Sequence, residues 1–558
     1  MKRLLMIISV FATIAVQAQN DTTITRIVTV ERDFQPVIQN AGKINQRPTI
    51  ISNEIQLTPV VYSTYSTPLS IDYNISQLPV AETRFTPQAP LNGAFEIGAG
   101  YRNTHLLFGY QIHQKKNMSL NIYANHDAYW GINQLSLSQS QLGMLVSRHF
   151  SNADLYFGIE GKNDAYTNFP LNTWQTLWNA KAKLGVQSTT KSAIQYRIQT
   201  GYNAFAVSNL AFEHSIQSHL DIWWANQQHS AGVKAYVQNT FYTTSQLELQ
   251  MPSARHNIRI QPFYECRGKH VHLHAGVNID MNIGTGELLL PVENVSLAPS
   301  PNVQFEWNMM DNIFHFYANA TGQYGLGSWE EYMNYNRYLD THAGLLWNSP
   351  RAYTPVDAQF GFKLRPAKTL LIDFYGGYAY MINACNMQAA FMEDMLNYQL
   401  WVSNYQCWKV GANLHYHYRD IIEFNLGGNY YFYRQEPADI QDELYYDANS
   451  SDTPSNWTTT VFDRPNWDAY ARVDIHIDSK WSFYSENYFI GSRQAYLAPH
   501  KSAELRPIIS LNLGGQYAIN RWLNIYAELN DYLNRKDEIF YGYKSQGLHF
   551  LVGVKWKF

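Results

Sequence analysis

From Gly93 to Phe558 the chain alternates apolar and polar residues in stretches of about ten, the period of a strand with two unlike faces. The last 54 residues show the unit most plainly: Ile509 to Tyr517, a turn at 518–521, Leu523 to Asn530, and then a closing run, Phe550 to Phe558. That run sets Phe550, Val552, Val554, Trp556 and Phe558 on one face and Lys555 and Lys557 on the other. About 22 such stretches can be marked, each near the length that crosses a bilayer at a tilt. Among them are 93–102, 356–366, 369–381, 405–417, 508–518, 521–531 and 547–558. Every other connection is short, such as 114–116, 150–152, 267–268, 367–368, 478–479 and 519–520, while 324–355, 382–404, 434–466 and 532–546 are long. Short turns at one end and long loops at the other are the pattern of a transmembrane antiparallel β-barrel.

The facing of side chains follows. In 356–366, Ala358, Phe360, Phe362 and Leu364 are expected to point outward and Gln359 and Lys363 inward; in the next stretch Leu370, Ile372 and Phe374 point outward and Asp373 and Tyr375 inward. The interior is therefore polar, the reverse of a soluble barrel. His272 and His274, with His270, share one face opposite Val271, Leu273 and Ala275, which turns the histidines into the lumen.

Composition sharpens this picture. Charged residues are 15% and aromatics 15%, with 41 Tyr and 15 Trp, against about a quarter charged in soluble globular chains. Few charges and many aromatics fit a lipid-facing surface with interfacial girdles. Mean hydropathy is −0.34, too polar for a helical membrane protein. A net charge of −4 gives no ground for nucleic-acid binding.

Before the barrel, residues 1–18 read as a secretory signal: Lys2 and Arg3, an apolar core, then Val16-Gln17-Ala18. Residues 19–91 form a second region in which Pro48, Pro59, Pro68, Pro79, Pro87 and Pro90 oppose long ladders, so it is expected to be extended and periplasmic. Within it Ile24, Thr25, Arg26, Ile27, Val28, Thr29 and Val30 alternate as a short strand, to be donated to the sheet edge of a periplasmic partner or packed on the barrel. The barrel is assigned 92–558, with both chain ends on the periplasmic side.

Sites of chemistry are few. Cys266, Cys385 and Cys407 are odd in number and widely spaced, so no metal set is expected from them. No Gly-x-Ser-x-Gly elbow, His-Glu-x-x-His or phosphate loop occurs, and neither an enzyme nor a cofactor is expected. Two long loops combine acids with aromatics: Trp329, Tyr332 and Tyr335 with Glu330 and Glu331, and Tyr445, Tyr446 and Trp457 with Glu436, Asp439 and Asp442. Carboxylates suit hard cations and rings stack on sugars, while the same composition also describes a solvated loop.

At the C-terminus Leu529-Asn530-Asp531-Tyr532-Leu533-Asn534-Arg535, Tyr541-Gly542-Tyr543, Gln546-Gly547 and the final strand resemble the last hairpin of TonB-dependent receptors of the Bacteroidetes. Val30 to Ile38, Gly42 to Asn45 and Pro48 are similar to the start of a shorter, plugless group described as TonB-dependent-receptor-like. The resemblance implies a 22-stranded outer-membrane barrel in a Gram-negative cell, transport of a solute, and TonB or another periplasmic protein as partner. The alternatives are a barrel subunit of an envelope complex and a passive pore. With no folded plug preceding the first strand, the 20–91 segment, inward-folded loops or a partner must close so wide a lumen.

Overall fold

A computed structural model describes residues 93–558 except 114–116, 131–135, 169–172, 190–192, 209–210, 245–253, 286–294, 311–312, 326, 340–350, 393–394, 436–460 and 499–500. Twenty-four strands form one sheet. Two of them, Arg493–Ala498 and Lys501–Leu505, make a hairpin that leaves the wall, and the remaining 22 close into an antiparallel barrel. The seam joins the first strand, Gly93–Tyr101, to the last, His549–Lys557, in a register running from Ala94↔Lys557 to Tyr101↔Phe550. Gly93 and Phe558 complete it by exchanging both backbone hydrogen bonds, at 2.8 and 3.0 Å. The end of the barrel holding this pair is called here the terminal end, and the other the loop end.

Side-chain facing follows the alternation. Phe360 and Phe374 are exposed on the outer face, whereas Gln359 is buried inside beside Lys409 Nζ at 3.4 Å and Tyr317 donates to Asp373 at 3.0 Å. Phe550, Val552, Val554, Trp556 and Phe558 are likewise exposed on the outside, while Lys555 turns in and pairs with Glu96 at 3.2 Å. Inward charges pair across neighbouring strands: Arg259 with Asp280, Arg472 with Glu486, and His272 with Glu265. His274 also lies inside, near Asn302, whereas His270 belongs to the turn before their strand.

A recurrent device sets the strand register. Six inward tyrosines each stand directly opposite a glycine on the next strand: Tyr123↔Gly143, Tyr156↔Gly185, Tyr317↔Gly361, Tyr375↔Gly411, Tyr484↔Gly514 and Tyr526↔Gly553. At every one of these glycines an added Cβ would come within 2.2–2.6 Å of an atom of the facing tyrosine, and at Gly361 and Gly553 it would also meet a backbone carbonyl at 2.6 and 2.4 Å. The ring lies flat over the bare backbone, so slipping the pair by one residue would both clash and turn the ring toward the outside.

Three elements depart from the sequence expectation. The segment 382–404, expected as a loop, continues the wall hairpin as strands Leu370–Met392 and Met395–Tyr418, of 23 and 24 residues. A bulge at Asn383, with φ +53°, breaks the alternation there, and beyond it consecutive residues Asn386 and Met387 are both buried because the extension is covered on both faces. A helix, α1 (Trp329–Tyr335), lies inside 324–355, also expected as a loop, and the hairpin 493–505 precedes the stretch at 508–518, in residues where no strand is expected.

Gly185→Val should lower barrel stability by about 1–3 kcal/mol through overpacking against Tyr156. Gly161→Val, where a Cβ meets nothing within 4 Å, should change it by much less. Urea unfolding in lipid vesicles, followed by tryptophan fluorescence, measures both; equal losses would remove the register role of the tyrosine–glycine pairs.

Candidate functional site

A 22-stranded ring is wide enough to pass solutes, so what occupies its mouth decides what it can do. At the loop end the connection after strand Phe314–Tyr324 turns back over the lumen. Gly327 starts the turn with φ +62°, and a Cβ there would sit 2.6 Å from Arg255 Nη1. Ser328 then caps α1: its side chain accepts from Glu331 N at 3.1 Å, and the Glu331 carboxylate accepts from Gly327 N at 2.8 Å. This reciprocal cap, with Glu330 and Glu331 in the first turn, stabilises a helix of only seven residues.

Polar contacts tie the segment to successive wall strands. Glu213 accepts from Trp329 N at 2.5 Å; Arg255 donates to Gly327 O at 2.7 Å; Arg351 donates to Asn282 Oδ1 at 2.7 Å. Glu330 receives three donors at 2.6 Å, from Asn179 Nδ2, Lys181 Nζ and Asn203 Nδ2. Farther on, Tyr166 donates to Arg337 O at 2.5 Å and Tyr398 N donates to Tyr338 O at 3.2 Å. Tyr166 belongs to the fifth wall strand and Tyr398 to the sixteenth. Ten strands lie between them, and Tyr398 sits in the extension of its strand beyond the wall, so residues 337–339 span half the ring across the mouth.

An apolar core consolidates the closure. Trp329, Tyr332, Met333, Tyr338 and Leu339 pack with Tyr166 and Phe205 of the wall, Met387, Leu396 and Tyr398 of the hairpin extension, and Phe540 and Tyr543 of the last long connection. Tyr338 stacks on Tyr543 with centroids 3.6 Å apart and meets Tyr166 edge-on. Tyr543 donates to Leu396 O at 2.8 Å and Tyr398 to Tyr541 O at 2.7 Å, so both of these buried hydroxyls reach an acceptor. The hairpin 493–505 is lashed on by Arg493, which donates to Glu538 O and Ile539 O at 2.5 and 2.6 Å.

Among the loop aromatics singled out from sequence, Trp329 and Tyr332 are buried in this core and Tyr335 packs against it, so their rings do not stand free to stack on a sugar. The reason is the i, i+3, i+4 spacing of Trp329, Tyr332 and Met333, which gives α1 one apolar face. That spacing, with Ser328-x-x-Glu331, was the signal available in the sequence. Tyr445, Tyr446 and Trp457 lie outside the described residues, as do Ile24 to Val30. Asn179, Lys181, Asn203 and Glu213, which hold the cap, had no motif to announce them. Among the described residues no group of His, Cys, Asp and Glu is placed to hold a metal ion.

No protein-family model and no curated sequence matches the chain. Solved structures do resemble it. The copper transporter OprC aligns with TM-score 0.61 at 11% identity, over 84% of this chain and 80% of its own. The ferric enterobactin receptor PfeA of Pseudomonas aeruginosa aligns with TM-score 0.61 at 9% identity, over 85% and 81%. The siderophore receptor PirA of Acinetobacter baumannii gives 0.61 at 8%, over 85% and 81%. At such identities the likeness is one of fold.

One group, beside the 493–505 hairpin and donating its backbone N–H to Gln494 O at 2.7 Å, titrates unusually. Asp463, at φ +60°, is buried with neither carboxylate oxygen hydrogen-bonded. Burial pushes its carboxyl up to about 7, although Arg493 and then Arg464 pull the other way. Because the folded value exceeds the ordinary 3.8, the stability tied to this proton is complete below about pH 4 and is lost as pH rises through 7. Asp463→Asn keeps a residue tolerant of positive φ and removes the ionisation. Limited proteolysis of the 493–505 hairpin should therefore speed up between pH 4 and 8 in the native protein and stay flat in the variant; the same rise in both would acquit Asp463.

Proposed function

We propose that the chain is an outer-membrane transport barrel of the TonB-dependent-receptor-like kind, in the plugless Bacteroidetes group that its terminal motifs resemble. The observation that carries this reading is the closed 22-strand wall, apolar outside and charged inside, whose loop end is crossed by its own chain. A cap packed through an apolar core shared with the wall favours a gated transporter over a passive pore. Likeness of fold to a copper transporter and to siderophore receptors supports a receptor-like role and leaves the solute unnamed.

In this reading residues 1–18 direct export in a Gram-negative cell, the barrel sits in outer-membrane lipid, and its terminal end faces the periplasm with both chain ends. The loop end then faces outward, and the cap is the first barrier a solute meets. Ile24 to Val30 supplies a strand to TonB or to another periplasmic protein. Its work is transport, without catalysis or a cofactor.

Planar-bilayer recording tests the gate. The native barrel should show little steady current, and replacing 327–339 by a Gly-Ser linker of equal length should produce large, steady channels. Steady channels from the native protein would establish a passive pore instead. A chain deleted for 20–30 should insert normally yet lose energised uptake, and unchanged uptake would remove the TonB strand.

A further inference from the structure

The contacts of Glu330 differ in kind from the rest of the cap. Its carboxylate receives three donors, all at 2.6 Å, from two neighbouring wall strands: Asn179 and Lys181 on Trp174–Ser188 and Asn203 on Ile194–Val207. Lys181 and Asn203 face each other in register, and Ser215 of the following strand stands opposite Asn203. The outward residues of these strands, Trp178, Tyr202 and Ile216, are exposed on the other face, so this polar group is aimed into the lumen. Strands closed into a ring hold such donors in place, whereas Glu330 arrives on a seven-residue helix in a loop.

Two more polar atoms complete the group. Asn203 is 5% exposed and Ser215 1%, yet Asn203 Oδ1 and Ser215 Oγ have no hydrogen-bond partner among the described residues. Leaving such groups unsatisfied costs about 1–3 kcal/mol each. Glu330 cannot relieve Asn203 Oδ1, because an ionised carboxylate only accepts. A ligand that carries a hydroxyl beside its carboxylate would accept from Asn179, Lys181 and Asn203, and its hydroxyl would donate to Asn203 Oδ1 and accept from Ser215 Oγ, satisfying what Glu330 leaves open.

We propose that Asn179, Lys181, Asn203 and Ser215 form a lumenal recognition site for a hydroxycarboxylate solute, and that Glu330 occupies it as a tethered stand-in until the solute displaces it. The inference rests on the transport reading above and adds the class of solute. Displacement removes the three hydrogen bonds that Glu330 makes to the wall and leaves α1 held by Glu213, Arg255 and its apolar face, so binding loosens the cap at this edge. A tethered occupant competes at an effective concentration in the millimolar range, so removing its charge should tighten binding of a free carboxylate by about tenfold or more.

Calorimetric titration of the full chain in nanodiscs tests this, with L-malate as probe, succinate as the analogue lacking the hydroxyl, and sulfate as a control anion. Glu330→Gln should bind malate at least about tenfold more tightly than the native chain, succinate less well than malate, and sulfate weakly. Adding Asn203→Ala to Glu330→Gln should abolish the gain. Equal malate affinity in native and Glu330→Gln barrels, or sulfate bound as well as malate, would overturn the site. A readout on the native chain guards against a variant that fails to assemble: Cys385, partly buried against the cap core, should react several-fold faster with a thiol reagent when malate is present and not when sulfate is. No malate effect on Cys385 would also overturn it. A barrel that binds malate this way but moves no solute into vesicles would keep the site and remove the transport reading; a transporting barrel indifferent to carboxylates would do the reverse.

Discussion

Everything in this molecule depends on the seam between Gly93–Tyr101 and His549–Lys557. In hydrocarbon an unpaired backbone N–H or C=O costs several kcal/mol, so a sheet survives there only as a closed ring. Closure leaves no edge strand to recruit another chain. It also makes the ring's register collective, since a one-residue slip at any pair would turn a whole strand inside out. The six tyrosine–glycine pairs, spread from the third strand to the final pair Tyr526↔Gly553, oppose such slips locally.

Closure of the ring raises the next problem, because the same geometry that satisfies the backbone leaves an opening. Here the chain solves it with material from the loop end. The cap's apolar core performs the ordinary work of a small domain, but half of that core is borrowed: Tyr166 and Phe205 belong to the wall and Met387 and Tyr398 to the extended hairpin. Polar ties at its rim, from Glu213, Arg255 and Arg351, orient it without the same depth of apolar contact. A closure built this way is firm where rings interlock and exchangeable where carboxylates meet wall donors.

The strand number, the inside-out polarity and the alternation of short turns with long loops were all legible in the sequence, because each is a local period repeated many times. In Phe550 to Phe558 the outward set could be read residue by residue, and it is the set exposed in the structure. What tertiary structure alone decided is the fate of the long connections. Residues 382–404 lost the alternation at Asn383 and passed for a loop, since burial on both faces removes the period that marks a strand. Trp329 and Tyr332 looked like a surface pair until the wall strands supplied partners for them. Glu330 meets Asn179 and Asn203 across 151 and 127 residues of sequence, a separation no local pattern encodes. Periodicity reports which way a side chain points relative to its own backbone; which other side chain it meets inside the ring depends on closure, and closure belongs to the whole chain at once.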